Sequence, residues 1–267
     1  MFEKFKSFLE QQQLLTPKDR CLLAVSGGVD SVVLVHLFER AGLDYGMAHC
    51  NFQLRGTASD ADERFVQELA LQFDRPFFTT RFDTETLAKQ HKWSIQMAAR
   101  QARYDWFKQI QTQNHYPYLA TAHHLDDQLE TFLYNFAKGT GIRGLRSIPL
   151  KNGAIIRPLQ FADKAMIESF AKKHAIAFRT DPSNATDKYV RNQIRHHLIP
   201  ALRKINPALS QTTKRTFTHL RETEQLLDWA ISAIRKEVMK ARPDGGQIDL
   251  EKLRTFPASL TTLFELL

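Results

Sequence analysis

The sequence predicts an α/β fold, a doubly wound parallel five-stranded sheet, followed by a smaller all-α domain. Three observations carry that expectation. Short Val/Leu/Ala-rich runs alternate with helical periods through the first half of the chain. The turn Ser26-Gly27-Gly28-Val29-Asp30-Ser31 joins the first such run to the first helical pattern, and strand signals become few beyond about residue 190.

Strand-like runs fall at 21–25, 45–50, 76–82 and 116–122, with helical patterns at 30–41, 59–73, 94–113 and 125–138. Strands this short and apolar, separated by helices, fit a parallel sheet buried on both faces. Residues 139–145, Gly-Thr-Gly-Ile-Arg-Gly-Leu, are too glycine-rich for a helix and read as a mobile connection. A fifth strand at 154–159 is stopped by Pro158, and 163–174 has a capped helix pattern. Helical stretches at 192–205 and 208–239 complete the chain, with a domain boundary expected between 205 and 206. The apolar, helix-like end at 260–267 carries no cap, so a further domain is expected beyond it.

A chain of 267 residues can bury a sizeable core. Cys21 and Cys50 fall in strand-like segments without a Cys-x-x-Cys pair, which argues against a disulfide framework or a structural zinc site. No stretch has signal-peptide or transmembrane character, so a cytoplasmic protein without a membrane partner is the default. The net charge of +8 is uneven: residues 190–267 hold 13 Lys and Arg against 8 Asp and Glu, and residues 1–189 hold 24 against 21. A polyanionic partner is consistent with that excess, and so is a solvated basic surface.

In a parallel sheet, ligands bind beyond the carboxyl ends of the strands. The glycine turn after the first strand therefore presents helix N-terminal amides to an anion, with hydroxyls on Ser26 and Ser31 and a carboxylate on Asp30 that suits a metal ion. A serine-capped helix is the bland alternative. After the second strand come His49, which is as easily a structural histidine, and Arg55, placed to contact an anion. After the fourth, His123 and His124 precede Asp126, Asp127 and Glu130, more acids than a helix cap requires. Repulsion among them is relieved by a cation, hence Mg²⁺ bridged by Asp30 and Asp127, with Glu130 left to attract a positively charged substrate. Arg100, Arg103 and Tyr104 share a helix face, either a solvated stripe or charge near a phosphate. Arg191 and Arg195, four apart, read as a clamp on phosphate or nucleic acid.

Together the segments SGGVDS, HCNFQLRG, AARQARY, TAHHLDDQLET, GTGIRGL, RPL and DPSNATDKYVRNQIR, in this order, resemble the tRNA(Ile)-lysidine synthetase family. That family belongs to the N-type ATP pyrophosphatases, whose PP-loop is the SGGxDS element and whose fold is of the adenine nucleotide α-hydrolase type. The resemblance implies a PP-loop catalytic domain at 1–205 and a helical domain at 206–267, with a C-terminal tRNA-binding domain outside the chain. It implies that ATP and Mg²⁺ activate C2 of the wobble cytidine in the CAU anticodon of tRNA(Ile), and that free L-lysine then displaces AMP. By the same resemblance, Ser26, Gly27, Gly28, Asp30, Ser31, His49 and Arg100 bind ATP, and Asp30 and Asp127 hold the metal. Arg103 and Arg195 stabilise phosphate charge, His123 orients groups near the reacting phosphate, and Glu130 draws in the lysine ammonium. Arg55 and Arg191 contact tRNA or another anion. A homodimer is compatible with the sequence. A tRNA thiolation enzyme of the same superfamily is the nearest alternative, disfavoured because two cysteines 29 positions apart form no cluster. A non-catalytic ATP- or tRNA-binding module is the other; it has no need of Asp127, Glu130 and Arg195 together.

Overall fold

The computed structural model describes residues 1–180, 187, 190–242, 245–257, 261 and 263. Chain order is α1 (Phe2–Gln11), β1 (Arg20–Ala24), α2 (Val29–Arg40), β2 (Asp44–Asn51), α3 (Thr57–Gln72), β3 (Phe77–Arg81), α4 (Thr84–His91), α5 (Ile95–Asn114), β4 (Tyr118–Ala120), α6 (Leu125–Lys138) and α7 (Ile142–Leu145). Then come β5 (Lys151–Asn152), β6 (Ile155–Ile156), α8 (Lys164–Lys173), α9 (Val190–Gln193), a π-helical stretch (Ile194–Leu198), α10 (Ile199–Ile205), α11 (Leu209–Val238), β7 (Met239–Arg242), β8 (Gly245–Ile248) and α12 (Leu250–Leu253). Two compact units result: Met1–Tyr134 with Ile148–Ser210, and Asn135–Ser147 with Gln211–Leu267.

In the first unit the sheet order is β3-β2-β1-β4-β6-β5. The five expected strands are there and all parallel, with the two-residue β5 added antiparallel at one edge. Side-chain alternation explains the two covered faces. Cys21, Leu23, Val25, Tyr45 and Met47 join one core with residues of α1, α2, α3 and α8. Leu22, Ala48 and Leu119 join another with Phe107 and Ile110 of α5. Each face thus buries apolar surface, which stabilises the fold by about 25 cal/mol per Å² removed from water. Because β1 lies between β2 and β4, strand order reverses there, and the loops leaving β1 and β4 part to form a crevice.

The second unit packs Ile231 and Val238 of α11 against Leu253 of α12. It also holds a β7–β8 antiparallel ribbon, so the C-terminal region is helical but not purely so. The 139–145 segment also departs from expectation: Ile142–Leu145 forms one helical turn. Glycine lowers its propensity, yet Arg143 pairs with Asp228 at 2.7 Å and Arg146 with the buried Glu224 at 2.7 Å, which ties the turn to α11. Residues 181–186 of the DPSNATDKYVRNQIR segment and most of the apolar end at 260–267 lie outside the described residues. Among the described residues no helix is long and apolar enough to cross a membrane.

Candidate active site

The glycine turn leaves β1 at the crevice and opens α2. Gly27 adopts φ +88°, a left-handed conformation that L side chains rarely take, and its carbonyl accepts the Arg179 amide at 2.9 Å. Gly28 is the N-cap and offers no side-chain acceptor to the first-turn amides of α2. The serines brace the turn instead: Ser31 Oγ donates to the Gly28 carbonyl at 2.9 Å and accepts from the Ser26 amide at 3.2 Å. The capping reading and the anion reading are therefore both partly right, since the hydroxyls shape the loop and the amides remain at the positive end of the helix dipole.

A cavity of about 440 Å³ opens beside this turn, lined by Ser26, Asp30, Ser31, His49, Arg55, Arg103, Tyr104, His123 and Asp127 among others. Its size is that of a ligand pocket. His49 is buried and donates through Nδ1 to the Val25 carbonyl at 2.8 Å. Burial lowers its pKa, so it stays neutral while it clamps β2 to the end of β1. His123 Nδ1 lies 2.8 Å from Thr121 Oγ1, and burial, opposed by Asp127, pushes its pKa down to about 4. Arg103 rests over the Phe52 ring at 5.0 Å and reaches the cavity wall. Arg100 does not line it; it stacks on Tyr104 at 5.0 Å, one face over. Arg55 is on the wall but already pairs with Asp62 at 2.6 Å, and Asp62 also accepts Arg179 Nε at 3.0 Å.

Asp30 and Asp127 converge on His124, a residue to which the sequence assigns no role. Its Nε2 lies 3.7 Å from Asp30 Oδ1 and 3.5 Å from Asp127 Oδ2, and its buried Nδ1 has no hydrogen-bond partner among the described residues. Asp127 also caps α6 by accepting the His124 amide at 2.9 Å. Burial disfavours the Asp127 carboxylate, but the histidines, that amide and Arg195 outweigh it and hold its pKa below the usual range. Two convergent carboxylates fit a Mg²⁺ ion whose remaining ligands come from phosphates and water, and among the described residues no cluster of three or more potential ligands forms an all-protein cage.

A second cavity, about 130 Å³, is lined by Asp30, His124, Asp126, Glu130, Lys164, Arg195, Ile199 and Arg203. Here the expectation for Glu130 needs correction. Its carboxylate is not free: Arg195 Nε and Nη2 bind it at 2.6 and 2.9 Å. Burial pushes the Glu130 pKa up while Arg195 pulls it back, and Arg195 itself is raised by the pairing, which overcomes its own burial, so the guanidinium stays protonated. The expected Arg191–Arg195 clamp is not assembled here. Arg191 is exposed in α9, whereas Arg195 lies in the π-helical stretch with its guanidinium already bound to Glu130. Lys164 and Arg203 carry no signal in the sequence, and Asp126 stands out there only as one of the acids after the fourth strand: Lys164 Nζ binds Asp30 at 2.8 and 2.9 Å, and Arg203 binds Asp126 at 2.9 Å. Partners separated by 134 and 77 positions leave no local pattern.

A strand, a glycine turn and a helix at a topological switch point, faced by two carboxylates, define a PP-loop protein, and the PP-loop domain family matches residues 1–202. The tRNA(Ile)-lysidine synthase of Bacteroides thetaiotaomicron is 38% identical over 260 residues, covering 97% of this chain and 60% of that protein. The one of Chlorobaculum tepidum is 38% identical over 265 residues, covering 94% of this chain and 78% of that protein. The chain belongs to the tRNA(Ile)-lysidine synthase family. It spans about 60% of the length of the first such relatives. In fold it is similar to the U34-tRNA thiolase NcsA from Methanococcus maripaludis, at TM-score 0.67 and 16% identity, over 82% of this chain and 79% of that one.

Proposed function

We propose that this chain carries out the ATP-dependent ligation of lysine to C2 of the wobble cytidine in the CAU anticodon of tRNA(Ile). The observation that carries the reading is the pair Asp30 and Asp127 converging at the mouth of the glycine turn, in a chain of this family. Residues 1–205 would be the catalytic domain and 206–267 a helical domain.

On this reading the cytidine O2 attacks the α-phosphorus of ATP, pyrophosphate leaves, and the lysine ε-amine attacks C2, releasing AMP and a proton. The backbone of Ser26–Ser31 binds the pyrophosphate portion at the N-terminus of α2. Asp30 and Asp127 would hold Mg²⁺, which neutralises charge on the phosphates. Arg103 offers a further cation from the cavity wall, oriented by its stacking on Phe52. His123, kept neutral by burial, acts as a hydrogen-bond partner and not as a proton store. Arg55 and Arg191 are left for tRNA or other anions, with Arg55 having to share its charge with Asp62. The lysine site is the second cavity, whose acids and bases alternate as a zwitterion with an extra ammonium requires; Glu130 contributes through its pair with Arg195. Such an enzyme works where tRNA is, in the cytoplasm.

The thiolation alternative is not favoured. Cys21 is buried in β1, and burial holds the Cys50 thiol up at about 12, so neither supplies a thiolate at neutral pH. The test is incubation with radiolabelled lysine, ATP, Mg²⁺ and either a tRNA(Ile) transcript or a CAU anticodon stem-loop. The expected result is RNA-dependent pyrophosphate release with label entering the RNA. No pyrophosphate release with either RNA overturns the reading.

A further inference from the structure

Lys164 is the first residue of α8, where a cation meets the positive end of the helix dipole and is locally unfavourable. Its backbone is nonetheless fixed there from two sides. Its amide donates to Asp126 Oδ2 at 2.9 Å, and Asp163 caps the helix through the Met166 amide at 2.9 Å. Asp126 is in turn held by Arg203 at 2.9 Å. So anchored, Lys164 extends its ammonium to both oxygens of Asp30, at 2.8 and 2.9 Å.

The pair is reachable by water, with Lys164 35% and Asp30 30% exposed along their side chains, so it can be exchanged without stripping a buried charge. Any cation that takes Asp30 must displace this ammonium or share the carboxylate with it. A free divalent ion is repelled by that fixed positive charge. A divalent ion chelated by a polyphosphate is net negative and is attracted by the same charge.

We propose that Lys164 is a positioning residue that reserves Asp30 for a metal–nucleotide complex, by occupying both carboxylate oxygens against free divalent cations and then turning to the incoming phosphates. This rests on the reading of Asp30 as a metal ligand. It makes Lys164 a selectivity device that lowers metal affinity in the absence of nucleotide and raises it in its presence. A merely structural ion pair lowers free-metal affinity as well, but gives no gain for the metal–nucleotide complex.

The test is Mn²⁺ binding followed by electron paramagnetic resonance, without nucleotide and with a nonhydrolysable ATP analogue, on the whole chain. Lys164→Met is expected to bind free Mn²⁺ about fivefold tighter than the parent and the Mn²⁺–nucleotide complex more weakly. Lys164→Gln is the second variant should Met disturb the start of α8, and Lys164→Arg, which keeps the charge, is expected to restore the parent pattern. Free Mn²⁺ affinity that is unchanged or lower in both neutral variants overturns the inference. Asp30→Asn separates the two claims: if it leaves Mn²⁺–nucleotide binding at parent strength, the metal-ligand reading itself falls. If it weakens that binding while neither neutral variant tightens free Mn²⁺, only the role given to Lys164 falls.

Discussion

The two cavities that meet at Asp30 are built on opposite principles. The larger one presents backbone amides and two histidines kept neutral by burial, with its charges spread over the wall as Asp30, Asp127, Arg103 and a single Arg55–Asp62 pair. The smaller is walled by ion pairs whose members come from α2, α6, α8, the π-helical stretch and α10. A polyanion with its metal needs fixed dipoles and a place for a cation, because full charges are supplied by the ligand. A small zwitterion needs full charges of both signs at set distances, and those must be neutralised by one another while no ligand is bound.

The sharpest break in this comparison is Asp127→Asn, at the border of the two cavities. The amide oxygen keeps the cap on His124, so the fold should persist while pyrophosphate release falls at least about a hundredfold, as for removal of a group that stabilises transition-state charge. Unchanged release would show that Asp127 serves only as a cap. Next in size is Arg195→Met, which strands Glu130, only 3% exposed, without its cation. Urea unfolding should show a loss of about 3 kcal/mol, toward the low end for a broken buried pair because Arg195 is itself 40% exposed. A loss below about 1 kcal/mol would mean that the charges of the second cavity are not interdependent.

The neutral histidines of the first cavity predict an acid-side instability. His123 titrates near 6.5 when unfolded and about 4 when folded, so between those values the unfolded chain binds more protons. Stability is then full above about pH 6.5 and falls by about 2–3 kcal/mol as the pH drops toward 4, with His49 acting in the same direction. His123→Asn should flatten that slope in a series of melting curves; an unaltered slope would remove His123 as its source. Gly27→Ala is expected to cost about 1–2 kcal/mol through its φ of +88° alone, since the nearest atoms lie 3.6 Å from where the added methyl would sit and leave room for it. A neutral effect on the melting temperature would show that the turn relaxes. The smallest effect is expected for Arg203→Gln, less than about 1 kcal/mol for a pair whose arginine is 42% exposed, with a weaker lysine KM as its accompanying sign.

Legibility follows the same divide. Much of the first cavity can be read because three of its walls are local motifs at the ends of strands: SGGVDS after β1, His49 to Arg55 from the end of β2, and His123 to Asp127 after β4; α3 and α5 supply the rest. Helix α6 is bounded correctly at both ends by its acids and its final lysine. Helices α1 and α4 are missing from the sequence-based expectation, as is β5, which at two residues is too short for any periodicity. In the second cavity, Glu130 looks like an unpaired acid in the sequence because its partner is 65 positions away. Arg191 and Arg195 look like a matched pair in the sequence because the partner that takes Arg195, Glu130, is just as remote from them.

By itself, then, the sequence determined the parallel sheet, the glycine turn that opens the first helix after it and the two carboxylates beside that turn, since strand periodicity, glycine conformation and helix capping are properties of neighbours in the chain. Only the tertiary structure decided which charges are spent on one another. Lys164 on Asp30, Arg203 on Asp126 and Arg195 on Glu130 are joined by the packing of α8, α10 and the π-helical stretch against the start of α2 and α6. Whether an ionisable group is available to a ligand depends on its distance to other charges and to water, and the fold sets both.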